Sequence, residues 1–150
     1  MLSVYVGLFL FFQVGFFVYL FNKKLHTVDL LWGLAHGVVA AGCYYFDKNE
    51  LSSLELILLV IILVWSGRLY FYLLLRNWGR PDDRRYLELA SGWRGNIQIN
   101  AYFRIFIIQM ILSGIPSLSI YFGLNSTGIA FSNFLFFSGI ALSLFGLVYE

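Results

Sequence analysis

The sequence predicts an all-α, polytopic transmembrane bundle of about five spans. Three observations carry this expectation: twenty uncharged residues run from 2 to 21, mean hydropathy over the chain is +0.79, and six of the ten Lys and Arg residues fall between positions 65 and 94. Hydrophobic residues make up 60% of the 150 positions, more than the single core of a water-soluble domain could enclose. The formal net charge of +2 is less informative than its placement, because a clustered charge is what a partner meets. A lone Cys43 excludes an intramolecular disulfide and suits neither a zinc site nor a redox pair; a small residue facing lipid or another helix is expected there.

The elements follow in order. Residues 2–21 match the length that crosses a bilayer. No basic region precedes them and Lys23 and Lys24 follow, so a retained helix is expected rather than a cleaved signal peptide. The apolar run 30–46 carries Gly33, Gly37 and Ala41 at four-residue spacing, a face that admits another helix closely. Residues 51–75 form the third expected span, with Glu55 near its end. The fourth is 102–122, interrupted by Pro116, and the fifth is 129–149. All five are expected to form one transmembrane domain, 1–150.

Orientation follows from the basic loops. Lys23 and Lys24 share a side with the arginine-rich stretch 76–101, opposite Asp47–Glu50 and the turn from Gly123. The positive side is expected to be cytoplasmic, placing the N-terminus outside and the C-terminus inside. Asn125-Ser126-Thr127 matches a glycosylation acceptor in a short outer loop.

Polar residues within spans are the next signal, since lipid disfavours them unless they face an interior or a partner. His36, Arg68 and Gln109 fall roughly 9 to 12 Å below the expected cytoplasmic surface, in one layer. Trp65, Arg68, Tyr72 and Arg76, spaced three, four and four, share one helical face. Arg76, Arg80 and Arg104 also suit simple snorkelling, and Gln13 suits a hydrogen bond between helices. The segment Asp82–Tyr86 reads either as a solvated turn or as a basic rim for a phosphate-bearing ligand, its aspartates orienting the arginines. No nucleotide-binding loop, metalloprotease helix or nucleophile elbow is present, and two histidines are too few for a metal site.

The set Asp29-x-x-Trp32-Gly33, Trp65-x-x-Arg68-Leu69, Arg76, Asp83-x-Arg85-Tyr86, Trp93, Phe103, Gln109 and Pro116 resembles the N-terminal part of the steroid 5-alpha-reductase-like membrane proteins, in their poorly characterised branch. The similarity runs from about Asp29 to Glu150. It implies an NADPH-dependent reductase acting on a double bond of a hydrophobic, sterol- or lipid-like substrate. Arg68, Arg76, Arg84 and Arg85 then match positions near cofactor phosphates, and Glu150 matches the glutamate opening a Glu-x-x-Ala-Asp motif. Trp65 stands where reductases of this superfamily carry a substrate-activating tyrosine; an indole N–H can donate a hydrogen bond but transfers no proton usefully.

No catalytic residue is assigned. Trp65, His36 and Tyr72 are the candidates. Family members continue into further motifs, so the chain is expected to be part of a longer product or to work with a second chain. Two other readings stay open: an isoprenylcysteine-methyltransferase-like enzyme using S-adenosylmethionine, and a non-enzymatic membrane protein whose basic loop contacts anionic lipid. The expected partners are the bilayer and a hydrophobic small molecule, with no nucleic acid.

Overall fold

A computed structural model describes residues 2–46, 52–125 and 133–149. These form helices α1 (Leu2–Asn22), α2 (Thr27–Phe46), α3 (Ser53–Asn77), α4 (Arg84–Ser91), α5 (Ile97–Ala101), a π-helical turn Tyr102–Ile107, α6 (Ile108–Asn125) and α7 (Asn133–Tyr149). No strand occurs among the described residues. The all-α expectation holds. Three helical stretches, Val4–Asn22, Ser53–Asn77 and Ile97–Asn125, are long and apolar enough to cross a membrane.

The expected second span forms a helix, as does the fifth over 133–149, its positions 129–132 lying outside the described residues, but neither is among those three. For α2 the reason is its position. It packs against α1, α3 and α6, and a helix surrounded by protein can carry Asp29, Trp32 and His36 where a lipid-facing helix could not. In α7, Phe134, Leu142, Phe145 and Val148 are all exposed.

α1 is apolar around its whole circumference. Leu8, Phe12 and Tyr19 face the core, while Leu10, Val14 and Phe17 face outward. The helix stops at Lys23, whose φ of 58° is left-handed and whose N–H returns to the Tyr19 carbonyl at 2.8 Å, a helix end usually given to glycine.

α3 opens with a reciprocal cap. Glu55 N–H donates to Ser52 Oγ at 3.4 Å and Ser52 N–H donates to Glu55 Oε2 at 2.7 Å, so the glutamate near the end of the third span satisfies the helix start. The fourth span is longer than expected. Asn96 caps α5 by accepting from Gln98 and Ile99, and the helix runs on through the π-helical turn to Asn125. Pro116 lies inside α6 without ending it, as membrane helices packed against neighbours allow; the adjacent Ser117 Oγ donates to the Ser113 carbonyl at 2.8 Å.

The small-residue face of α2 meets α3. A Cβ on Gly33 would come within 2.8 Å of the Tyr70 backbone nitrogen, and one on Gly37 within 2.6 Å of Ser66 Oγ. Ser66 Oγ donates to the Gly33 carbonyl and accepts from Gly37 N–H at 3.1 Å. Ala41 does not extend this seam; it is exposed. Cys43 is buried, which settles its expected location as helix-facing. On the other side of the bundle, Phe16 of α1 packs edge-on against Tyr102 at 4.8 Å and Phe106 at 5.3 Å.

Candidate functional site

Two groups of side chains sit on this frame. The deeper one lies where α2, α3 and α6 converge. Trp32 Nε1 donates to Gln109 Oε1 at 2.6 Å, joining α2 to α6. One turn on, the His36 ring lies 5.5 Å from Trp32 and 5.6 Å from Trp65, ring centre to ring centre. His36 Nδ1 is 3.1 Å from the Trp32 carbonyl, whereas the buried Nε2 has no hydrogen-bond partner. A buried polar atom left so costs about 1 to 3 kcal/mol, and such atoms concentrate where a ligand or a reaction supplies the partner.

Two members of the expected layer, His36 and Gln109, are joined through a residue not counted among the site candidates. Trp32 bridges His36 and Gln109. Of the three catalytic candidates, His36 and Trp65 come together. Tyr72 stands 57% exposed on α3, with the Arg76 guanidinium carbon 5.9 Å over its ring. The shared face of α3 is real for this pair, and Arg68 is half-buried between Trp65 and Tyr72 on the same helix.

The second group lies at the polar end. Asp82 accepts from Leu25 N–H at 2.7 Å, from His26 N–H at 2.9 Å and faces His26 Nδ1 at 2.9 Å. Lys24 Nζ donates to the Arg80 carbonyl at 2.7 Å, and Tyr86 Oη donates to Asp29 Oδ1 at 2.6 Å. Burial and the Asp29 carboxylate both hold the Tyr86 phenol well above its usual range. The segment that carries most of the arginines is thus folded onto the corner between α1 and α2.

The two aspartates divide their work, contrary to the expectation that both orient arginines. Asp83 does so: Oδ2 is 2.7 Å from Arg85 Nη2, and Oδ1 also caps α4 through Arg85 N–H at 3.0 Å. The Arg85 side chain and backbone hydrogen bonds lower the Asp83 carboxyl to about 2. Asp82 instead serves the turn at Leu25–His26. Nothing in the local pattern Asp-Asp-Arg-Arg separates the two roles, since Leu25 and His26, which Asp82 serves, are more than fifty positions away.

Of the expected phosphate-binding residues, Arg84 meets Glu88 through Nε at 2.6 Å and Arg76 meets Asn77 through Nε at 3.4 Å. Neither bond involves the terminal guanidinium nitrogens, whereas Arg85 gives both Nε and Nη2 to Asp83. Glu150 lies outside the described residues. No group of three metal-ligating side chains occurs among the described residues. Gly114, Met110 and Ile111 of α6 with Tyr5 and Leu8 of α1 line an apolar cavity of about 260 Å³.

No curated protein and no solved structure matches the chain. A family model described as "Protein of unknown function (DUF1295)" matches residues 15–150. With nine-tenths of its length inside that match, the chain belongs to the DUF1295 family.

Proposed function

We propose that the chain is the N-terminal, membrane-embedded part of an NADPH-dependent reductase acting on a double bond of a hydrophobic, sterol- or lipid-like substrate. The observation that carries this reading is the relation between the two groups of side chains. Asp82 and Tyr86 tie the arginine-bearing segment to the corner preceding α2, and His36 lies seven residues beyond Asp29 on that helix, roughly 10 Å further along. A polyanionic cofactor at the basic end would thus lie about the length of a nicotinamide nucleotide arm from an aromatic interior.

In this reading Arg68, Arg76, Arg84 and Arg85 hold the phosphates. Bound there, NADPH would supply the hydride for reduction of the double bond. Trp65 and His36 shape the interior that holds the substrate, and Gln109 fixes Trp32 beside them. The five helices α1, α2, α3, α5–α6 and α7 would span the membrane, with the basic end in the cytoplasm.

Thermal unfolding in detergent tests it. NADPH is expected to raise Tm in the wild type and to lose that effect in Arg76→Gln. A rise with S-adenosylmethionine and none with NADPH would replace the reductase by a methyltransferase-like enzyme. Silence from both leaves the lipid-contact reading, which Trp78, 75% exposed and two residues from the exposed Arg80, favours.

A further inference from the structure

We infer that His36 Nε2 receives the hydroxyl group of an apolar ligand held at the junction of α2, α3 and α6. The imidazole is 2% exposed, and the orientation of its ring is decided by Nδ1, which faces the Trp32 carbonyl at 3.1 Å. A carbonyl oxygen only accepts, so Nδ1 carries the proton and, in the neutral ring, Nε2 carries the lone pair. That lone pair is buried and unmatched.

Two donors on the neighbouring helical turns are engaged elsewhere. Trp32 Nε1–H is given to Gln109, and the Ser66 hydroxyl to the Gly33 carbonyl. The flanking surfaces of Trp32 and Trp65 are aromatic, which suits an apolar body next to the polar atom. An acceptor in such surroundings selects a donor. An alcohol satisfies it, while a ketone of the same shape sets one lone pair against another.

This inference rests on the reading of the interior as the substrate site and narrows the substrate to one whose polar end is a hydroxyl. Its test needs no cofactor. The full chain, labelled with 15N-histidine in detergent micelles, has two imidazoles, His26 and His36; His36→Phe assigns them, and His26→Gln does so should the first variant not fold. Dodecan-2-ol, dodecan-2-one and dodecane are titrated separately, since they share one carbon skeleton.

The expected result is an unprotonated Nε2 on His36 at neutral pH, shifted saturably by the alcohol. The ketone should bind about fivefold more weakly and leave the Nε2 signal in place, and the alkane should not shift it either. A proton on Nε2, an equal response to alcohol and ketone, or no response to the alcohol would overturn the inference. Failure of NADPH to bind would sink the reductase reading without touching this result.

Discussion

Asp82 and His26 lie 56 positions apart, and one carboxylate oxygen of Asp82 sits 2.9 Å from both the backbone nitrogen and the ring Nδ1 of His26. With Leu25 N–H on the other oxygen, a single side chain satisfies three donors of a turn that cannot bond within its own helices.

Replacing Asp82 by alanine strands those donors in a half-buried corner. The expected loss is about 2 to 3 kcal/mol, read as a lower Tm in detergent. Asp82→Asn keeps an acceptor oxygen and should lose less. Equal losses for the two variants would show that bulk rather than hydrogen bonding holds the corner.

The seam between α2 and α3 predicts a contrast among glycines. Gly33→Ala would drive a methyl to 2.9 Å from the Tyr70 Cα, a backbone atom that moves only with its helix; about 1 to 3 kcal/mol of destabilisation is expected. A Cβ on Gly42, further along α2, would meet nothing within 4 Å. Gly42→Ala should instead stabilise by about 0.5 to 1 kcal/mol through helix propensity. Denaturant titration in mixed micelles separates the two signs.

Trp32→Phe keeps an aromatic ring beside His36 and removes the hydrogen bond to Gln109. A loss of about 0.6 to 1.5 kcal/mol is expected, the range for such bonds between membrane helices. A double-mutant cycle with Gln109→Leu should recover most of that as coupling; additivity would mean that the 2.6 Å contact contributes nothing.

Acid should release α4 first. Asp83 titrates at about 2 in the folded chain against an ordinary 3.8, so between those values the unfolded chain binds the extra proton and stability rises with pH. The contribution is complete above about pH 4 and lost as the pH falls through 2. Because the Arg85 side chain is 73% exposed, screening keeps it under about 1 kcal/mol. Hydrogen exchange of the α4 amides should accelerate over this interval in the wild type and show no such step in Asp83→Asn.

The helices were legible because apolarity over some twenty residues is a local property. Their starts were less so. The Ser52 and Glu55 cap has a sequence signature that a reading guided by hydropathy passes over, and the extension of the fourth span back to Ile97 rests on Asn96 as a cap within a stretch too polar to read as membrane. Gly33 and Gly37 announced a close approach, but their spacing could not say which helix approached or that Ala41 would face outward.

The sequence by itself determined the all-α class, the apolar stretches and the concentration of arginine between Arg76 and Arg94, since each depends on composition within a window. Only the tertiary structure decided that Trp32 joins His36 to Gln109, that Asp82 serves the turn at His26 while Asp83 serves Arg85, and that Tyr72 lies apart from His36. These depend on the rotation of each helix about its axis and on pairings such as Asp82 with His26 and Trp32 with Gln109, 56 and 77 positions apart. Helical rotation is set by packing small residues against a neighbour's backbone, and no window along one helix contains that neighbour.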